Sequence, residues 1–185
     1  MGIDREIFLE SVSKELSDSL IGINPMQLDN LVKLIVSGKR VFTAGAGQSA
    51  LMMRVLAMML MQAGFTSYVV GDVTTPGIQA DDVLIAASYS GTTKTTLQYI
   101  SQSKARNAKI GLFTADYNSQ AAALADTIVV IKSASDKNSK TPSVIYEGDG
   151  FVQVLMPLVH CVVRFAGEMT GVTEDTMIFN HANLE

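Results

Sequence analysis

One cysteine, Cys161, occurs in the 185 residues, which excludes an internal disulfide and any metal site built on several thiolates. A reducing, cytoplasmic setting is the matching expectation. Charge is scarce as well: Asp, Glu, Lys and Arg make up 17% of the chain, the formal net charge is -4, and Lys and Arg form no cluster. Without a basic field, nucleic acid is not expected as a partner. Long apolar runs are also missing. The stretches 51–63 and 151–163 are mostly apolar, yet each is shorter than a bilayer span and is interrupted, by Arg54 in the first and by Gln153 and His160 in the second. Neither reads as a membrane segment, so no membrane partner is expected. The opening residues, Met1-Gly2-Ile3-Asp4-Arg5-Glu6, carry charge where a signal peptide has its apolar core.

What is present is apolar: 48% of residues are hydrophobic, more than so few charges can screen on a small monomer. Some of that surface is expected to be covered by further copies of the chain. The length suits a single domain over 1–185, read as a helical hairpin over 1–38, an α/β core over 39–170 and a polar tail over 171–185. Leu9, Val12, Leu16, Leu20 and Ile23 recur at spacings of three and four and predict an amphipathic first helix. Asn24-Pro25-Met26-Gln27 predicts a second helix, with Asn24 as N-cap, Pro25 at the first helical position and Gln27 closing a capping box, and Gly38 stops it.

Strands are predicted over 41–44, 66–70, 83–87, 109–114 and 127–131, with helices over 50–63, 93–107 and 119–125 between them. Strands that alternate with helices predict a doubly wound, three-layer α/β unit, because parallel neighbours need crossovers. The expected sheet has five parallel strands in the flavodoxin-like order 2-1-3-4-5. The stretch 71–81 reads as an irregular loop, 132–140 as an exposed polar loop, and about 150–169 as a buried apolar helix interrupted by Pro157. Met52, Met53, Met58, Met59 and Met61 read as adaptable packing at a subunit contact, and His160 as a core or interface residue.

Two turns stand out. Ala86-Ala87-Ser88-Tyr89-Ser90-Gly91-Thr92-Thr93 follows an apolar strand and opens a helix, where first-turn N–H groups lack partners and the helix dipole is positive. Hydroxyls from Ser88, Ser90 and Thr93 around Gly91 suit a phosphate dianion, although the same residue types also serve as ordinary helix caps. Gly45-Ala46-Gly47-Gln48-Ser49-Ala50 follows the first strand. In the order 2-1-3-4-5 both turns border the point where the crossovers diverge and a crevice opens. The second segment also satisfies the dinucleotide pattern G-x-G-x-x-G/A, with Asp72 near the place of a ribose acid. A chain with little more than one mononucleotide-binding half weighs against that alternative.

On these two turns the chain resembles the sugar isomerase (SIS) domain family, whose phosphosugar signature is a Gly-x-Gly-x-Ser turn followed by Ser-x-Ser-Gly-x-Thr. The resemblance extends from the N-terminal hairpin through the segment Gly64-Phe65-Thr66-Ser67-Tyr68-Val69-Val70-Gly71-Asp72 to the ending His181-Ala182-Asn183-Leu184-Glu185. That ending is similar to the family's 6-phospho-3-hexuloisomerase branch. The resemblance implies interconversion of D-arabino-hex-3-ulose 6-phosphate and fructose 6-phosphate, without metal or other cofactor, usually by a homotetramer. It implies a phosphate cradle of Ser49, Ser88, Ser90 and Thr93, with Gly47, Gln48 and Tyr89 in the same turns.

Several positions depart from the branch, which usually has Arg at Gln48, Gly at Ala50 and Tyr89, and Glu at Thr92. Its Gly-Ser-Leu-Phe-Glu-Gln segment stands here as Gly148-Asp149-Gly150-Phe151-Val152-Gln153, with Val152 in place of the acid. The reaction needs a base at C2 and an acid at C3. Glu147 and Asp149 are the nearby carboxylates, and His181 is the other acid–base candidate. A dipole contact at a helix start is the plainer role for the two acids. Loss of the acid at Val152 motivates an alternative, a non-catalytic phosphosugar-binding domain that senses metabolites.

Overall fold

The computed structural model describes residues 4–132, 143–145 and 149–184, with Asp149 through its main chain. Helix α1, Arg5–Ile21, starts where the Asp4 carboxylate accepts from the N–H groups of Glu6 and Ile7. Helix α2, Pro25–Ser37, starts at Asn24, whose side-chain oxygen accepts from Met26 N–H at 2.9 Å. Gln27 does not close the expected capping box: its side-chain oxygen accepts from Val130 N–H at 3.1 Å and ties α2 to an edge of the sheet. A long-range partner thus outcompetes the local one.

The chain then alternates: β1 Val41–Gly45, α3 Gln48–Gln62, β2 Ser67–Val69, β3 Val83–Ala87, α4 Lys94–Ala105, β4 Lys109–Thr114, α5 Gln120–Leu124 and β5 Thr127–Val130. All ladders are parallel and the order is β2-β1-β3-β4-β5, as the alternation predicts. The stretch between β2 and β3 is irregular, as expected. Of the polar loop expected over 132–140, Lys132 is exposed and the remainder lies outside the described residues.

Strand side chains alternate between two cores. Val41, Val83, Ile85, Ala87 and Phe113 face the layer of α2, α3 and α6, Asp149–Thr170. Phe42, Ala44, Leu84, Ala86, Ile110 and Leu112 face α4 and α5. Both sheet faces are covered, so β3 is buried along its whole length. Helix α6 is longer than the sequence pattern suggests and runs through Pro157; by length and composition alone it could cross a membrane. Its position argues otherwise, since Phe151, Val154, Leu155, Leu158, Val159, Val162, Val163 and Ala166 all pack in the core.

The tail is not merely polar, because Glu174–Phe179 form α7 with Thr173 as N-cap. His160 is exposed on α6 rather than packed in the core. The methionines divide: Met53 and Met59 are core residues, while Met58 and Met61 are exposed. Helix α1 also departs from its stripe. Leu16 and Leu20 pack on the core, but Leu9 is 67% and Ile7 62% exposed.

At the amino ends of β1 and β3, Arg40 forms a two-pronged contact with Asp82, Nε to Oδ1 at 2.8 Å and Nη2 to Oδ2 at 2.5 Å. Gln79 N–H adds a third donor at 2.7 Å. Burial would raise the Asp82 carboxyl, but the Arg40 hydrogen bonds, the Gln79 N–H and the Arg40 and Lys39 charges outweigh it and hold Asp82 below the ordinary carboxylate value. A lowered folded value means that the stabilisation is present above the unfolded value, about pH 4, and is lost as pH falls through the folded value. Asp82→Asn is expected to destabilise by about 2 kcal/mol at pH 7, or roughly 5 °C in the unfolding midpoint for a chain of this size. Thermal scans at pH 7 and in acid should show the two midpoints converging as Asp82 protonates; equal midpoints at pH 7 would deny the ion pair its role.

Candidate functional site

The two turns singled out in the sequence meet at the carboxyl edge of the sheet. Gly45 pairs with Ala87, and Ala87 pairs with Phe113, so the segments leaving β1 and β3 start side by side. Helix α3 leaves toward the α2 and α6 layer and α4 toward the α5 layer. The crevice between such divergent crossovers is where ligands bind in open parallel sheets.

The caps at this edge differ from those elsewhere. Side chains cap α1, α2, α5 and α7, through Asp4, Asn24, Ser119 and Thr173 respectively. Neither α3 nor α4 has a side-chain cap. Thr93 holds the N-cap position of α4, but its hydroxyl accepts from Ser88 Oγ at 3.3 Å instead of turning to the helix. Both helices therefore start without a side-chain cap, an arrangement that suits an anion. Thr93 does not fill the plain capping role.

Gly47 and Gly91 permit the two turns. Gly47 sits before α3 at φ +55 and Gly91 lies in the second turn at φ +60, a region that L side chains rarely enter. Gly91 is also buried against Ser119: a Cβ there would lie 2.0 Å from Ser119 Oγ. Its carbonyl accepts from Ala121 N–H at 3.0 Å, while Ser119 Oγ caps α5 by accepting from Ala122 N–H. The turn is thus seated on the start of α5. A second support comes from β4, where Ala115 N–H and Thr114 Oγ1 donate to the Tyr89 carbonyl at 3.0 and 3.2 Å.

Within the turn Ser88 and Ser49 are buried, and Ser90 and Gln48 are exposed. Ser90 Oγ accepts from Thr92 N–H at 3.3 Å and from Thr92 Oγ1 at 2.9 Å. The Tyr89 ring packs edge-on against Phe151 in the first turn of α6, with centroids 5.7 Å apart and an interplanar angle of 69°.

The acid–base candidates are placed less directly. Glu147 lies outside the described residues, as does the Asp149 side chain; the Asp149 main chain opens α6 beside Tyr89 and Phe151. Val152 packs half-buried against the core, which accounts for an apolar residue there. The approach to α6 is held by a contact that sequence patterns did not reveal: Glu15 of α1 accepts from Ser143 Oγ at 2.7 Å and from Val144 N–H at 3.0 Å. His181 is exposed at the end of α7, next to Asn180, whose side-chain amide donates to the carbonyl of Gln62. Gln62 ends the helix that Gln48 begins, so His181 lies roughly 20 Å from the turn before α3 at 1.5 Å per residue. One chain does not bring His181 to its own crevice.

Two other features compete with the crevice. Asp72 is held by Arg54 in a two-pronged ion pair at 2.7 and 3.1 Å, which opposes its use as a ribose acid. An open depression of about 400 Å³ lies at the amino ends of β1, β3 and β4, lined by Ser37, Lys39, Asp81 and Lys109 among others. It is at the sheet edge opposite the turns, and its buried carboxylate, Asp82, is already satisfied by Arg40.

Residues 34–146 match the SIS domain family. The chain is 40% identical over 179 residues to a 3-hexulose-6-phosphate isomerase of Mycobacterium gastri, covering 96% of this chain and 89% of that one. A 3-hexulose-6-phosphate isomerase of Bacillus subtilis is 31% identical over 96% of this chain and 97% of its own. Among solved structures, a hypothetical protein from Methanococcus jannaschii with an inferred function of 3-hexulose-6-phosphate isomerase superposes with a TM-score of 0.83. It is 27% identical, and the match covers 96% of this chain and 98% of that one.

The two glycines separate conformational strain from steric exclusion. Gly47→Ala, with no atom within 4 Å of the new Cβ, should cost about 1–3 kcal/mol for its backbone angle alone. Gly91→Ala adds the collision with Ser119 and should cost at least twice as much. Denaturant titration of both variants measures the difference, and equal losses would show that the seat on α5 yields freely.

Proposed function

The chain belongs to the SIS domain family, and we propose that it is a phosphoketose isomerase that interconverts D-arabino-hex-3-ulose 6-phosphate and fructose 6-phosphate. The observation that carries the reading is the pair of helices without side-chain caps, α3 and α4, opening together at the point where the crossovers diverge. Ser49, Ser88, Ser90 and Thr93, with the main chain of Gly47, Gln48 and Tyr89, hold the phosphate there. Relatives named as isomerases at 31–40% identity over 96% of the chain favour catalysis over the metabolite-sensing alternative.

The chemistry is an internal redox balance. A base removes the proton from C2, the electron pair forms an enediolate across C2 and C3, and an acid returns a proton to C3 as the hydroxyl proton moves from O2 to O3. Oxidation at C2 equals reduction at C3, so the reaction as proposed needs no redox cofactor. Glu147 or Asp149 supplies the carboxylate at the start of α6. His181 supplies the second acid–base group to the crevice of a neighbouring copy, because its own crevice is an α3 length away. The assembly is a homotetramer in the cytoplasm, with the exposed apolar residues of α3 and α6 at its contacts. The low charge gives no basis for nucleic acid or membrane as partners.

A coupled assay for fructose 6-phosphate formation tests the activity directly, and binding of sugar phosphate without turnover would overturn it. Ser90→Ala should raise KM about tenfold by removing one charge-assisted hydrogen bond. His181→Ala should lower kcat by about a hundredfold or more with phosphosugar affinity retained. Mixing His181→Ala with Ser90→Ala subunits should restore part of the activity that neither preparation shows under low-substrate conditions. Failure of the mixture to exceed the average of its parts would place His181 outside a shared site.

A further inference from the structure

The hydroxyls of the phosphate turn are not equivalent as hydrogen-bonding groups. A hydroxyl has one proton to donate and two lone pairs that accept. Ser90 Oγ accepts twice from a single residue, from Thr92 Oγ1 at 2.9 Å and from Thr92 N–H at 3.3 Å. Both lone pairs are thus occupied, and among the described residues no acceptor takes the Ser90 proton. Ser90 is exposed, so that proton is available to a ligand. Gly91, between the two residues, is held at its N–H and at its carbonyl: the first donates to the Ser88 carbonyl at 3.2 Å, and the second accepts from Ala121 N–H at 3.0 Å. With φ at +60 and Ser119 against it, Gly91 fixes the course of the chain from Ser90 to Thr92. Thr93 Oγ1 accepts from Ser88 Oγ at 3.3 Å, so a second hydroxyl at this helix start has a lone pair filled by a neighbour.

From this geometry, and on the basis of the isomerase reading above, we infer that Thr92 is a positioning residue: by donating to Ser90 Oγ it sets Ser90 as a hydrogen-bond donor to the substrate phosphate. A phosphate dianion offers acceptor oxygens only, so a hydroxyl serves it in one sense only. A serine hydroxyl left to itself turns among about three staggered positions and presents its lone pairs as readily as its proton. Two donors on its oxygen settle the orientation before the ligand arrives, so the ordering cost falls on folding and not on binding. Accepting a hydrogen bond also polarises the O–H and strengthens it as a donor, by about 10–30% per bond. Thr92 acts through Ser90 and does not itself meet the phosphate.

The test is a double-substitution cycle on Thr92→Val and Ser90→Ala, read as the dissociation constant of fructose 6-phosphate and as KM and kcat. Valine keeps the shape of threonine and removes its hydroxyl. Thr92→Val should weaken binding about three- to fivefold, the scale of releasing a three-position rotor and losing its polarisation. KM should rise by the same factor while kcat changes less than about twofold, as for an interaction made equally in ground and transition states. Thr92→Ser should restore wild-type affinity, because it returns the donor without the methyl group. In the Ser90→Ala background, Thr92→Val should change the dissociation constant less than about 1.5-fold, since the group it orients is gone. An equal loss in both backgrounds would overturn the inference, because Thr92 would then meet the phosphate itself or hold up the turn as a whole. So would wild-type affinity in Thr92→Val, or a Thr92→Ser variant as weak as Thr92→Val. If wild type binds fructose 6-phosphate without converting it, the isomerase reading fails, and the dissociation constants alone still decide the role of Thr92. Absence of any binding by wild type would overturn both.

Discussion

The parallel ladder between β1 and β3 is the constraint on which the rest of this structure depends. Two adjacent parallel strands cannot be joined by a hairpin, so each must send its chain back along the sheet through a helix. Because the order reverses between β1 and β3, α3 and α4 leave on opposite faces and their first turns separate. The separation is a consequence of topology. It leaves two helix starts without a side-chain cap, and the local sequence adds hydroxyls and glycines there.

The two ends of the strands are built for different ends. At the amino edge Arg40 and Asp82 satisfy each other and fasten β1 to the segment that enters β3. At the carboxyl edge the polar groups of Ser88, Ser90, Thr92 and Thr93 bond mainly within their own turn, and the supports beneath them come from Ser119, Thr114 and Phe151. A closed ion pair stabilises register, while a propped and uncapped turn retains donors for a ligand. The open depression at the amino edge therefore lies where the structure is saturated, and the proposed phosphate site lies where it is not.

The strands, their order and the two turns were legible in the sequence because each rests on a local signal: an apolar run of strand length, a change of period, and glycine beside hydroxyls. Contacts between distant segments were not legible. Gln27 has the spacing of a capping-box residue and bonds to Val130, more than a hundred positions away. Leu9 continues the periodicity of Leu16 and Leu20, yet α1 extends beyond the core that would cover it. Ser119, Thr114 and Glu15 support the turn or the approach to α6, but as single residues in ordinary contexts they carry no pattern that could have marked them. The contact of the Tyr89 ring with Phe151, more than sixty positions away, had no local signal either.

Two features that one copy of the chain leaves unexplained have a common account. Ile7 and Leu9 on α1, Leu51, Met58 and Met61 on α3, Met156 and Phe165 on α6, and Ile178 and Phe179 on α7 expose apolar surface. Scattered apolar residues are normal on any protein, but those of α3 recur at Leu51, Met58 and Met61 along one exposed line of the helix, which also carries Arg54. His181 follows α7 at the far end of that same helix from Ser49. Association of copies through α3 would remove the line from water and would also set the end of α7 in one copy free to approach the turns of another. The proposed assembly thus has two independent supports, since the exposed apolar residues of α3 require no reaction and the proposed role of His181 requires no apolar surface.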